Sequence, residues 1–189
     1  MFDSQADIAA VVYGSGEDPD GLLREFADDL HRSGHRAAGL IQSGRRRACM
    51  PDGLSAVGLP TGAAVPLRHS WTFAAGGCRL DPGALAETKA RLAAAIQQGV
   101  DLVIINRFGR LELAGGGFVA EIRQAVDADI PVLIAVPEQV FMAWTRFCCG
   151  MAVKLACSRA PLELWWRTVA RGPREQPPLA GATFGEFAK

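Results

Sequence analysis

Three short runs of this chain carry almost no polar residues: Ile8–Tyr13 (IAAVVY), Asp101–Asn106 (DLVIIN) and Ile130–Val136 (IPVLIAV). A strand with one wet face alternates apolar and polar side chains, whereas a strand buried on both faces has no such alternation. Helix-like stretches follow the runs. After the first, Leu22, Leu23, Phe26, Ala27 and Leu30 recur at helical spacing, and Ser33-Gly34 closes the stretch. Ala37–Gln42 (AAGLIQ) reads as a further strand, which completes one βαβ unit. The fold class this predicts is α/β: a mostly parallel open sheet with helices on both faces.

The remaining elements follow from local signals. Arg79–Gln98 reads as the clearest helix, with Asp81 at the N-cap, Pro82 at the first helical position and Leu85, Leu92 and Ile96 on its apolar face. Arg107–Gly117 reads as a loop, Phe118–Val126 and Glu138–Phe147 as helices, Val153–Cys157 as an edge strand and Ala160–Ala170 as a helix. Ser43–Gly77 is rich in Gly, Pro and Arg and predicts a small antiparallel insertion. Its strand pieces are expected near 48–50, 56–59 and 65–68. The domain plan is therefore one α/β domain over 1–172, with a β-rich insertion at 43–77 and a proline-rich tail at 173–189.

The chain has 189 residues, enough for one domain with a substantial core. Its 20 basic and 20 acidic residues cancel, which argues against a general nucleic-acid binder. No apolar run reaches the roughly 18 residues of a membrane span. The start, MFDSQAD, lacks the basic region of a secretory signal. Five cysteines without a C-x-x-C pair fit neither a disulfide framework nor a zinc site, so the expectation is a cytoplasmic protein with reduced thiols and no metal. Adjacent Cys148 and Cys149 are expected in the core.

Function concentrates where ligands bind open α/β sheets, beyond the carboxyl ends of the strands. Gly16-Glu-Asp-Pro-Asp-Gly21 satisfies the first six places of the phosphate-loop pattern G-x-x-x-x-G-K-[ST], but Leu22 and Leu23 stand where the lysine and hydroxyl belong. Gly14, Ser15, Gly16 and Gly21 allow a tight, amide-lined turn. Glu17, Asp18 and Asp20 oppose a polyphosphate there, because two unit charges about 4 Å apart repel by about 4 kcal/mol near a protein surface. The loop reads as a degenerate Walker A motif, or as a plain βα turn capped by Asp18 or Asp20. After the second strand, Asn106 and Arg107 occupy the positions where a nucleoside triphosphatase keeps acidic groups for Mg²⁺ and water.

Taken together, the plan resembles the small P-loop nucleoside-triphosphatases. In those, a GKT loop is followed by an apolar strand reading Asp-Glu-Ile-Gly-x-Met-Glu and then a Phe-bearing helix. Gly109, Glu112 and Phe118 match; Asn106 and Arg107 do not. More closely, the chain is similar to an uncharacterised bacterial family with the pattern N-x-F-G-x-x-E, here Asn106 to Glu112, and G-C-R-L-D, here Gly77 to Asp81. Members of that family are often labelled as molybdenum ABC transporter ATP-binding proteins. The resemblance runs from Ile8 to about Trp166. It implies a sheet of P-loop NTPase type and a link to molybdenum, but no settled activity.

Cys78, Arg79 and Asp81 precede a helix whose N-terminal amides suit an oxyanion, or they only cap it. The candidate ligand-binding residues are thus Gly14, Ser15, Gly16, Gly21, Cys78, Arg79, Asp81, Asn106, Arg107 and Glu112, with no catalytic residue and no cofactor identified. Three functions stay open. One is a non-catalytic P-loop-like protein binding a small anionic ligand (an oxyanion or a nucleotide) or a protein partner. The second is an active nucleoside triphosphatase or phosphotransferase that uses Glu112 and Arg107. The third is a structural or interaction subunit, such as a homo-oligomer, with no small-molecule site.

Overall fold

The computed structural model describes residues 7–43, 55–59, 64–66, 69–70, 79–80 and 82–170. In chain order the elements are β1 (Ile8–Tyr13), α1 (Pro19–Arg32), β2 (Ala37–Ser43), β3 (Ser55–Leu59), β4 (Ala64–Pro66), β5 (His69–Ser70), β6 (Arg79–Leu80) and α2 (Pro82–Gln97). They continue with β7 (Leu102–Ile105), α3 (Arg110–Leu113), α4 (Val119–Asp127), β8 (Val132–Pro137), a 3₁₀ turn at Glu138–Val140, α5 (Phe141–Phe147), β9 (Ala152–Ala156) and α6 (Arg159–Val169).

The sheet order is β4-β3-β2-β7-β8-β1-β9. Its five strands β2-β7-β8-β1-β9 run parallel, which gives an α/β fold of P-loop NTPase type. Strands β3 and β4 continue the sheet beyond β2 in antiparallel fashion, and β5 pairs antiparallel with β6. The expected insertion at 43–77 lies mostly outside the described residues, as do the strand piece near 48–50 and the tail.

The all-apolar runs are explained by burial on both sides. Ala10, Val12, Val103, Ile105, Ile134 and Val136 point to one face, where Leu92, Ile96, Ile122 and Trp144 cover them from α2, α4 and α5. Ala9, Val11, Leu102, Ile104, Leu133 and Ala135 point to the other, where Leu23, Phe26 and Leu30 of α1 meet Leu162, Trp165 and Trp166 of α6. A half-buried clasp joins these last two helices. Arg159 bonds both Asp29 and Glu163, and its hydrogen bond is the main influence holding the Asp29 carboxyl below its ordinary range.

Local differences from the sequence reading have physical reasons. Helix α2 begins at Pro82, not Arg79, and Arg79–Leu80 is strand. Proline has no N–H to continue a helix backwards and is suited to the first helical position. The stretch 107–117 is not all loop, because α3 forms within it. Cys148 is buried, but Cys149 is exposed, turned outward at φ +52° where α5 ends. Strand β9 does stand at the sheet edge, pairing with β1.

The closeness of β2 and β7 shows at Gly39 (φ +153°), where an added Cβ would sit 1.8 Å from the Ile104 carbonyl oxygen. Gly39→Ala is expected to cost about 3 kcal/mol or more in chemical denaturation. Gly34→Ala, at φ +85° with open space around it, is expected to cost only about 1 kcal/mol. Equal losses would mean that strand contact is not the constraint.

Candidate functional site

The carboxyl ends of β1, β7, β8 and β9 form one edge, and the loops leaving them hold most of the candidate residues that are described. The loop after β1 comes first. Asp18 is the N-cap of α1: its Oδ1 accepts the Gly21 N–H at 3.0 Å. A Cβ on Gly21 would fall 2.6 Å from the other Asp18 oxygen, so the capping carboxylate would have to shift to admit one. Glu17 folds back so that its Oε2 accepts the Gly14 N–H at 2.6 Å. Two of the three acids therefore saturate amides of their own loop. Ser15 and Gly16 form its exposed tip, with Gly16 at φ +99°.

Asp20 does something different. It reaches across the end of β8, which separates β1 from β7. Its Oδ1 accepts a hydrogen bond from Asn106 Nδ2 at 2.5 Å, and Arg107 Nη2 lies 3.7 Å from that same oxygen. The Arg107 guanidinium also stands 5.7 Å from the Tyr13 ring centroid, within cation–π range. Arg107 is 17% exposed and Asp20 23%, so this ion pair is screened less than a surface one.

The neighbours of Arg107 explain its direction. Phe108 is fully buried, with ring centroids 5.0 Å from Trp144 and 5.2 Å from Phe147. Its N–H donates to the Ala135 carbonyl at 2.9 Å, while the Asn106 N–H donates to Leu40 at 3.0 Å. The chain is pinned on both sides, and Arg107 takes up the turn at φ +132°. A non-glycine residue in such a region carries about 1–3 kcal/mol of strain and is held there by its surroundings. Two atoms of this cluster, Arg107 Nε and Asn106 Oδ1, are buried without a hydrogen-bond partner among the described residues.

Glu112 is 6% exposed. One oxygen accepts the Gly109 N–H at 2.9 Å and the other the Phe118 N–H at 3.2 Å. Gly117 makes room for it, since a Cβ there would lie 1.9 Å from Oε1. The carboxylate thus staples the loop around α3. Cys78 and Asp81 lie outside the described residues, and Arg79 is described only as part of β6. The structure brings Gly14, Asn106 and Arg107 to one edge, sets Gly21 beneath Asp18, and engages Glu112 internally. Sequence reasoning missed the bridging role of Asp20 and the contribution of Tyr13. The one signal for them was an acid near a strand end facing an Asn-Arg pair after another strand.

The loop also shapes its neighbours. Partial burial, reinforced by the negative charges of Glu17, Asp18 and Asp20, pushes the Cys157 thiol up to about 11. Among the described residues no group of three His, Cys, Asp or Glu side chains could hold a metal ion, and no helix is long and apolar enough to cross a membrane.

Comparison with known proteins gives the family. The model of a protein family of unknown function, DUF2478, matches residues 8–165. The chain belongs to that family. A curated relative, "Molybdenum import ATP-binding protein ModC 2" of Bradyrhizobium diazoefficiens, is 40% identical over 162 residues, which is 85% of this chain but 18% of that protein. The DUF2478 chain thus spans less than a fifth of that relative's length. No solved structure matches it.

Two outcomes test the site's local chemistry. Glu112→Gln replaces an acceptor oxygen with an NH₂ facing a main-chain N–H, and is expected to cost about 1–3 kcal/mol by thermal melting. At about pH 8, peptide mapping after alkylation should find Cys149 modified and Cys157 spared. The Cys157 rate should climb as the pH approaches the raised thiol pKa of about 11.

Proposed function

We propose that this DUF2478 chain is a non-catalytic, P-loop-NTPase-like protein that binds a small oxyanion-bearing ligand at the carboxyl edge of its sheet. The observation that carries this reading is the cluster of Asp20, Asn106 and Arg107. A strained, mostly buried arginine is held at the strand ends by a carboxylate, and its Nε and the Asn106 Oδ1 are both buried without a partner among the described residues. Asp20 stands where the anionic part of a ligand would stand. An arginine is the usual partner for such groups because its planar fork matches two oxygens at once.

Several observations speak against turnover. The opening loop has no lysine, and its Gly14 amide is already occupied by Glu17. Both Glu112 oxygens hold main-chain amides, so that carboxylate is not free to orient water. These features support calling the loop a degenerate Walker A motif. The name of the relative, a molybdenum import ATP-binding protein, supports placing this chain beside molybdenum handling and puts molybdate, tungstate and nucleotides among the ligands to try. The matched part is a small share of that protein, so its name does not say which of these the shared domain would hold.

Thermal-shift measurements with phosphate, molybdate, tungstate and nucleotides are expected to show a rise for at least one oxyanion-bearing compound. The rise should vanish in Arg107→Ala, and no Mg²⁺-dependent phosphate release should accompany it. A shift that survives Arg107→Ala, or steady phosphate release by the pure protein, would overturn the reading.

A further inference from the structure

The cluster that supports ligand binding also restricts which oxyanion fits, an inference that rests on the reading above. Asn106 donates its NH₂ to Asp20, so the amide orientation is not arbitrary: a carboxylate oxygen at 2.5 Å demands the nitrogen, and the carbonyl oxygen must point elsewhere. That oxygen, Oδ1, is buried and has no donor among the described residues. Arg107 Nε is a buried donor with no acceptor among them. The two side chains are tied to one oxygen of Asp20, so their orphaned atoms belong to a single cluster. A ligand satisfying both must offer an acceptor and a donor.

Charge narrows the choice further. Arg107 is the cation of this cluster among the described residues, and it is already paired with Asp20. Glu17 and Glu138 each place a carboxylate oxygen within 4 Å of the space beside Gly14. One negative charge on a ligand is matched by the guanidinium. A second would meet carboxylates, at about 4 kcal/mol for each pair of charges about 4 Å apart. A proton on the ligand removes that second charge and supplies the donor that Asn106 Oδ1 lacks.

We infer that the site selects a singly charged oxyanion that still carries an O–H, as phosphate or a phosphate monoester does when half-protonated, over fully deprotonated tetraoxo dianions such as sulfate and molybdate. Arg107 Nε donates to an ionised oxygen, and the ligand's O–H donates to Asn106 Oδ1. Both protein atoms are shut from solvent in the closed arrangement, so entry breaks the Arg107–Asp20 contact, and the ligand takes over the guanidinium from Asp20.

Titration calorimetry at about pH 6.5 and constant ionic strength, with inorganic phosphate, sulfate and dilute molybdate, tests this on the unmodified chain. Phosphate is expected to bind about tenfold or more tightly than either dianion, the size of one well-made hydrogen bond. Asn106→Ala should abolish the preference, so that phosphate and sulfate bind that variant with about equal affinity. If sulfate or molybdate binds the unmodified chain as tightly as phosphate, and all are lost in Arg107→Ala, the need for a ligand proton is overturned and the oxyanion reading stands. If no anion binds, or binding persists in Arg107→Ala, both fall together.

Discussion

A parallel sheet covered on both faces leaves its chain no polar surface except at the strand ends. Strands β1, β7 and β8 are almost wholly apolar because α1 and α6 cover one face while α2, α4 and α5 cover the other. Charged groups that lie near the strands are pushed to the edges. At the carboxyl edge the strand-end loops converge within reach of one another, although they are far apart in sequence. Asp20 and Asn106 meet across 86 positions of chain because β8 inserts between their parent strands and brings both loops over its end.

The direction of Arg107 is a consequence of packing, not of its own preference. Phe108 fills the space beside Trp144 and Phe147, and the amide bonds on either side hold the chain against β2 and β8. The residue between them turns through a backbone conformation that side chains seldom adopt. The strain is balanced by the aromatic packing next to it, and the result is a guanidinium aimed at Asp20. The acids of the opening loop follow a similar logic. Read as bare charges, Glu17, Asp18 and Asp20 only repel phosphate. In the folded chain they divide the work, since Glu17 occupies the Gly14 amide, Asp18 caps α1 and Asp20 restrains Arg107.

Glu112 shows how a motif can be legible while its chemistry is not. Its spacing from Asn106 carries the family resemblance, yet its two oxygens are absorbed by the Gly109 and Phe118 amides. Gly117 belongs to the same device, since only a residue without a side chain leaves room for that carboxylate. A pattern of glycine, glutamate and phenylalanine at fixed spacing can thus record a loop closure as readily as an acidic group for catalysis. Cys157 is likewise set by its surroundings: partial burial, and then the charges of the loop acids, raise its thiol pKa and make it a poor nucleophile near neutral pH.

The order of amino acids alone determined the α/β class, the parallel strands and the edge where the candidate residues lie. Those features depend on local spacing and on the absence of polar residues within a run, both of which are written along the chain. It also announced the missing lysine and the Asn-Arg pair, because identities need no folding to be read. Tertiary structure decided which acid faces which cation, which amides are already occupied and which polar atoms of the Asp20 cluster lack a partner among the described residues. Such facts depend on strand order and side-chain direction, and a bond spanning 86 positions leaves no periodic trace in the sequence.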